Sequence, residues 1–301
     1  MNYSEIENIY NKYKNDCVCE KNASLANKTT MKIGGKCGLF VEPYSESVLV
    51  ELLNACRRGN VPYFILGKGS NVLINSFHGV VIYIGKFLGA VTVDNDTITA
   101  GAGSSLASVC GIALENSLTG MEELFGIPGS VGGALYMNAG AYGGEMKNIV
   151  TSARCVNERG EIVTIPAEEM NLRYRGSVFS ENGWCILSVT MALKAGDKTA
   201  IKARMDELMQ RRRDRQPLEF PSCGSTFKRP KDGFAAALIE ECGLKGYSVG
   251  GAQVSEKHSG FVINRGGATF EDVMELVAHI KSVVKKQKGV ELECEMLIVD
   301  K

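Results

Sequence analysis

Three short segments carry side chains suited to handling charge or a proton. In LRYRGSVF, Arg173 and Arg175 are guanidinium forks with Ser177 close behind, a set that suits a carboxylate or a phosphate. A single arginine is more commonly a surface cation, and nothing local separates the two readings. In FPSCGSTFKRP, Ser225 follows Gly224, and Lys228 and Arg229 come shortly after. This is not the G-x-S-x-G nucleophile elbow, and no histidine lies nearby. A working Ser225 would therefore be a proton donor or an anion ligand, not an acyl nucleophile. In VELECEMLIV, strand alternation puts Glu291, Glu293 and Glu295 on one face and Val290, Leu292, Cys294 and Met296 on the other. A solvated acidic face is the plain reading. The run turns wholly apolar after Glu295, however, and a carboxylate entering a buried stretch tends towards a raised pKa and a general-acid role.

Two glycine-bearing loops could hold a ligand for these groups. LGKGSNVLI, Leu66 to Ile74, follows a short apolar run. Gly67 and Gly69 expose backbone N–H groups, Ser70 and Asn71 add donors, and Lys68 adds charge, which together could cradle a pyrophosphate. The loop is neither a Walker A sequence nor G-x-G-x-x-G. Its alternative is an ordinary hairpin or bulge turn. GIPGSVGGALYMNAGAYGG, Gly126 to Gly144, has apolar residues interleaved with its glycines and is no flexible linker. With Ser130, Asn138 and Tyr142 it could form the other wall of an extended nucleotide site, or it could be a structural glycine loop.

The elements that must position these loops read as α+β. Residues 45–58 predict a helix capped by Ser45 and ended by Gly59, with Val48, Leu49, Leu52, Leu53 and Cys56 on one face. VPYFIL and VVIYI predict buried strands, AVTVDNDTITAGAG two strands about an Asp-Asn turn, and SSLASVCGIALENSLTG a helix with a serine cap and Gly120 beyond its end. ARCVNERGEIVTI predicts a hairpin about Arg-Gly, WCILSVTMAL a strand, and TAIKARMDELMQRRRDRQP a helix ended by Pro217. Two further helices follow, FAAALIEECG and TFEDVMELVAHIKSVVKKQKG. The second carries Thr269 and Asp272 as a capping pair. VELECEMLIV predicts the last strand.

Bulk properties narrow the field. The chain has 301 residues, enough for two or three domains, and a formal net charge of +0, so no global field attracts nucleic acid or anionic membrane. RRRDR has no interleaved aromatics and reads as a solvated or phosphate-facing helix end. No apolar run has the length of a membrane span, and the N-terminus lacks the pattern of a secretory signal. The ten cysteines are scattered, with one C-x-C at Cys17 and Cys19, and read as small apolar residues. His78, His258 and His279 are far apart and near no cysteine pair, so no metal site is expected.

Six blocks in order resemble the UDP-N-acetylenolpyruvoylglucosamine reductase family, flavoenzymes of bacterial peptidoglycan precursor synthesis. They are LGKGSNVLI, GIPGSVGGALYMNAGAYG, YRGSVF, QPLEFPSCGSTFKRP, GAQVSEKHSGFVINRGGAT and LECEM, spanning about residues 30–296. The resemblance implies an α+β fold: a two-lobed FAD-binding domain of the vanillyl-alcohol-oxidase (PCMH) type followed by an α+β substrate-binding domain. Mapped here, a helical segment at 1–30 precedes the FAD-binding domain at 31–197, whose lobes meet near 90–100, and the substrate-binding domain is 198–301.

The implied cofactor is non-covalent FAD, held by Leu66, Gly67, Lys68, Gly69, Ser70, Asn71 and Val72 and by Gly126, Pro128, Gly129, Ser130, Gly132, Gly133, Asn138, Gly140 and Ala141. NADPH is the implied co-substrate, giving hydride to flavin N5. The reduced flavin passes it to C3 of the enolpyruvyl group of UDP-N-acetylglucosamine enolpyruvate, and C2 is protonated to give UDP-N-acetylmuramate. The implied catalytic residues are Arg175, stabilising an enolate-like dianion, Ser225, delivering the proton, and Glu295, hydrogen-bonding the developing oxygen. Tyr142, Lys228, Gln253, His258 and Asn264 are the implied substrate or nucleotide contacts.

Arg175 and Ser225 are 50 positions apart with no tyrosine between them, which matches the shorter family subtype lacking a tyrosine-bearing loop. A cytoplasmic, monomeric bacterial protein is expected, serving cell-wall biogenesis, cell shape and cell division, with no nucleic-acid partner and no membrane insertion. The alternative is another FAD-dependent oxidoreductase of the same fold. Such enzymes often tether flavin through histidine or cysteine, and the proposed cofactor domain has only His78 as a histidine.

Overall fold

The computed structural model describes residues 2–231 and 233–300. Packing divides the chain into two compact units that do not follow a linear partition. One comprises Met1–Asn22, Gly38–Lys68 and Gly79–Gln210; the other comprises Ala23–Cys37, Gly69–His78 and Arg211–Lys301.

In the first unit a five-stranded antiparallel sheet runs in the order Ile162–Pro166, Val150–Val156, Cys185–Ala192, Thr97–Gly101, Val91–Asp94. Its central strand, Cys185–Ala192, is buried along most of its length, which is why WCILSVTMAL reads as a nearly unbroken apolar run. A second sheet takes the order Cys17–Lys21, Cys37–Pro43, Phe77–Tyr83, Tyr63–Leu66, with the last two parallel. The helix Glu46–Arg58 begins where Ser45 accepts the Val48 N–H at 3.4 Å and ends at Gly59. Its five expected apolar positions are all buried. Each leucine so buried stabilises the fold by about 1.5–3 kcal/mol relative to exposure.

The second unit packs the helix Phe270–Lys288 on a three-stranded antiparallel sheet of Ser248–Val249, Ala252–Val254 and Val262–Asn264. Thr269 and Asp272 form the expected capping box. Val273, Leu276, Val277, Ile280 and Val284 are buried in one core with Ile239, Leu73 and Met296.

Several elements depart from expectation. Among the described residues of the first thirty, α-helix occupies Ser4–Lys12 and a 3-10 turn Ala26–Lys28, with the strand Cys17–Lys21 between them. The helix Leu106–Glu115 has Ser105 at its N-cap position, but the serine side chain accepts no N–H there; Asn116 closes it, with Gly120 beyond its end as expected. The hairpin at 150–166 turns through Arg159 and Gly160 as expected, and Asn157 at its start ties the turn, its Oδ1 accepting the Arg159 and Glu161 N–H groups, both at 2.9 Å. VELECEMLIV is a strand only over Leu297–Val299. Residues 290–296 alternate in burial as a strand would, yet find a single bridge, Cys294 to Phe227. Seven of the ten cysteines are buried. Burial pushes the Cys19 thiol up to about 11, which makes the C-x-C pair a poor nucleophile. Among the described residues no helix is long and apolar enough to cross a membrane.

Candidate active site

The loop after the strand Tyr63–Leu66 is not a hairpin turn. Tyr63–Leu66 pairs with Phe77–Tyr83, whereas Val72–Ile74 pairs in parallel with Leu297–Val299. Within the first unit, Gly67 lies against the second glycine-rich segment. A Cβ at Gly67 would sit 2.5 Å from the Ser130 Oγ, so the two loops meet where a side chain is excluded. Leu66 is buried and its carbonyl accepts the Ile84 N–H at 2.8 Å. Ser130 is buried, and its Oγ accepts the Gly133 N–H at 3.3 Å. Among the described residues, the backbone N–H groups of Gly67, Lys68, Gly129 and Ser130 donate to no protein acceptor. Four unpaired donors about a side-chain-free contact, with the exposed Lys68 beside them, fit the phosphates of FAD. Gly126, Gly140 and Ala141 are half-buried, Pro128 and Gly133 are exposed, and Gly132 is buried against Ala102.

Arg175 sits at the tip of a two-residue turn. Arg173 and Gly176 exchange backbone hydrogen bonds at 3.0 and 3.1 Å, and Arg175 takes φ +53, a left-handed conformation unusual for arginine. Three hydrogen bonds dock this turn on the glycine-rich segment. Ser177 Oγ donates to the Tyr136 carbonyl at 2.6 Å, Asn138 Nδ2 donates to the Arg173 carbonyl at 3.1 Å, and Arg175 donates to the Gly140 carbonyl at 3.4 Å. Arg173 is drawn away into an ion pair with Glu181, so the fold distinguishes the two arginines that the residue pattern left equivalent. Arg175 is half-buried and stacks on the exposed Tyr174 ring at 5.1 Å.

Asn138 is a keystone of this region. It is buried at φ +46, its Nδ2 also donates to Glu145 at 2.8 Å, and its Oδ1 accepts the Lys147 N–H at 2.9 Å. Its side chain thus serves the protein. Burial pushes the Glu145 carboxyl up, but hydrogen bonds from Lys147 and Asn138, with the charges of Lys147 and Arg175, outweigh that and hold it below its ordinary value. Neither Glu145 nor the docking role of Ser177 was legible from sequence, since their partners are brought to them by the turn.

In the second unit, Gly69 completes the loop at φ +60. A Cβ there would lie 2.3 Å from the Lys28 carbonyl oxygen. The Thr30 N–H donates to the Gly69 carbonyl at 3.1 Å, and Thr30 Oγ1 donates to the Ser222 carbonyl at 2.7 Å. Ser70, Asn71 and Val72 are half-buried. Ser225 and Glu295 are brought together by backbone pairing. The Glu295 N–H donates to the Thr226 carbonyl at 2.9 Å, the Lys228 N–H donates to the Glu293 carbonyl at 2.8 Å, and the Thr226 N–H donates to the Gly260 carbonyl at 2.8 Å. Both residues are half-buried. Among the described residues no protein group hydrogen-bonds the Ser225 hydroxyl, so it remains available to a ligand.

The remaining candidates are mostly occupied by protein partners. Lys228 pairs with Glu293. Gln253 Nε2 donates to the Gly246 carbonyl and Ser248 Oγ, while its oxygen accepts from Arg265. Asn264 Nδ2 donates to the Met31 carbonyl at 3.1 Å, and its oxygen accepts the Gly266 and Ala268 N–H groups. Burial pushes the His258 imidazole below its ordinary value, and its Nδ1 accepts the Gly260 N–H at 3.1 Å, which places any ring proton on Nε2. Tyr142 is exposed at φ +53 and, among the described residues, makes no hydrogen bond to protein. A cavity of about 310 Å³ lined by Tyr44, Phe87, Leu88, Arg154 and Ile186 involves none of the candidate residues.

Known proteins match both parts of the chain. Residues 38–166 match an FAD binding domain family, and residues 216–299 match the UDP-N-acetylenolpyruvoylglucosamine reductase C-terminal domain family. A UDP-N-acetylenolpyruvoylglucosamine reductase of Clostridium novyi is 47% identical over 282 residues, covering 93% of this chain and 92% of the relative. One of Caldanaerobacter subterraneus is 46% identical over 280 residues, covering 92% of each. The crystal structure of the Thermus caldophilus reductase superposes with a TM-score of 0.81 at 33% identity, covering 94% of this chain and 100% of that one.

Proposed function

The chain belongs to the UDP-N-acetylenolpyruvoylglucosamine reductase family, and on that premise we propose how its own residues divide the work of the reaction. It is an FAD-dependent oxidoreductase of peptidoglycan precursor synthesis, built on the two-lobed α+β FAD-binding fold. Its substrates are NADPH and UDP-N-acetylglucosamine enolpyruvate. The hydride of NADPH ends on C3 of the enolpyruvyl group and a proton on C2, leaving NADP⁺ and UDP-N-acetylmuramate.

FAD, when bound, supplies the hydride relay between the two substrates. Residues 31–197 carry the cofactor role and residues 198–301 the substrate role, preceded by 1–30. The backbone donors of Gly67, Lys68, Gly129 and Ser130 hold the cofactor's phosphates. Gly126, Gly132, Gly133, Gly140 and Ala141 line its path. Arg175 stabilises the negative charge that grows on the substrate carboxylate as C3 gains hydride. Ser225 delivers the proton to C2. Glu295 donates a hydrogen bond to the developing oxygen. Tyr142, with its uncommitted hydroxyl, contacts the substrate, and Lys228, Gln253, His258 and Asn264 shape the surface around it.

The observation that carries this reading is the docking of the Arg175 turn on the glycine-rich segment by three hydrogen bonds. It sets a cation beside the backbone that borders the cofactor, where the anion must form. Separated half-reactions test the residue roles. Ser225→Ala leaves the bleaching of flavin by NADPH intact and slows reoxidation by the enolpyruvyl substrate about 1000-fold or more. Equal loss of both steps would remove the proton from Ser225.

A further inference from the structure

We propose that Asn71 is a positioning residue for Glu295, tying the glycine loop to the carboxylate that acts on the substrate. The proposal deepens the reading above and rests on its assignment of Glu295. The sequence pattern places Asn71 among the cofactor donors. In the structure its Nδ2 donates instead to the Glu295 carbonyl at 3.0 Å. Its own backbone carbonyl accepts the Leu297 N–H at 2.9 Å. Asn71 thus grips the chain on both sides of the buried Met296.

The local backbone explains why a side chain is needed there. Regular pairing begins only at Leu297, opposite Val72, and the residues before it share one bridge with Phe227. The Glu295 N–H is taken by the Thr226 carbonyl at 2.9 Å, while its carbonyl lies outside either ladder. The Asn71 amide stands in for the missing ladder bond. With the Thr226 bond on one side and the Asn71 bond on the other, the peptide groups flanking the Glu295 Cα are both fixed, and with them the direction in which the carboxyl leaves the backbone. The next residue of the loop reaches the other catalytic segment, because Cys223 Sγ donates to the Val72 carbonyl at 3.2 Å. Burial pushes that thiol up to about 12, so Cys223 is an anchor and not a nucleophile. Two consecutive residues of the loop therefore hold the segments that carry Ser225 and Glu295.

The experiment compares Asn71→Ala, Glu295→Gln and the double variant as FAD-loaded enzymes. Bound FAD is measured, then bleaching by NADPH, then reoxidation by UDP-N-acetylglucosamine enolpyruvate. Asn71→Asp, which keeps the shape and removes the N–H donors, serves if the alanine variant is poorly folded. Asn71→Ala retains FAD and its bleaching rate, slows reoxidation about 100-fold, and lowers kcat with little change in KM. In the Glu295→Gln background the same change costs less than about twofold, since both act through one group. Loss of FAD, an unchanged reoxidation rate, or additive effects in the double variant would overturn the proposal while leaving Glu295 in place. A wild-type reoxidation rate in Glu295→Gln would instead overturn the assignment of Glu295, and this proposal with it.

Discussion

The Arg175 turn and the segments that carry Ser225 and Glu295 present the proposed catalytic groups by opposite means. Arg175 stands on a strained two-residue turn held to its neighbour by side chains: Ser177, Asn138 and its own guanidinium. Ser225 and Glu295 flank a single backbone bridge in which Thr226 and Lys228 bond residues 295 and 293, with Asn71 as the added side-chain tie. A side-chain-held turn can place a cation where no regular element runs, but its geometry fails when one polar partner is lost. Main-chain pairing tolerates side-chain change and leaves the Ser225 hydroxyl available to a ligand.

Substitutions can break or sharpen this contrast. The largest effect falls on the group itself: Arg175→Ala slows reoxidation of the enzyme by the enolpyruvyl substrate about 1000-fold while flavin bleaching by NADPH persists. Stopped-flow absorbance separates the two. Next is Gly69→Ala. A methyl group at φ +60, 2.3 Å from the Lys28 carbonyl oxygen, forces the loop open and costs about 3 kcal/mol in urea unfolding.

Ser177→Ala probes the turn without touching substrate. It leaves the Tyr136 carbonyl without its 2.6 Å donor and costs about 2 kcal/mol in stability. It also slows reoxidation more than bleaching, because the Arg175 tip shifts. A stability loss with both rates unchanged would separate the turn from catalysis.

Glu145→Gln acts through pH. Glu145 is held below its ordinary value of 4.5, so its contribution is complete above that pH and is lost as the pH falls through the lower folded value. Acid titration of the unfolding midpoint should be flatter below pH 4.5 in the variant than in the parent. The smallest effect belongs to Glu293→Gln. It breaks the exposed pair with Lys228 but leaves the Lys228 N–H bonded to the residue 293 carbonyl, and costs less than about 1 kcal/mol.

What could be read from sequence follows the same divide between local and non-local causes. The helix at 46–58 and the capping box of Thr269 and Asp272 were legible because cap, periodicity and stop lie within a few turns of one another. The glycine loops were legible as loops, but the reasons for Gly67 and Gly69 were not. Each abuts a group distant in sequence, Ser130 Oγ in one case and the Lys28 carbonyl in the other. Arg173 and Arg175 are indistinguishable as residue types, and the turn together with Glu181 separates them. The last strand is shorter than its pattern because alternation at 290–296 reports a buried and an exposed side, not a hydrogen-bonding neighbour. Asn138, expected at the cofactor, has both ends of its side chain bonded to protein, a commitment set by Glu145, Lys147 and Arg173.

In the proposed reaction one flavin joins NADPH oxidation to reduction of the enolpyruvyl sugar nucleotide. Its most direct test is the visible spectrum of the purified protein under anaerobic conditions, with NADPH added first and UDP-N-acetylglucosamine enolpyruvate second. A flavin band should bleach with NADPH and return in full with the sugar nucleotide. A protein that carries no flavin and binds none when FAD is added, or a band that bleaches and never returns, would contradict it.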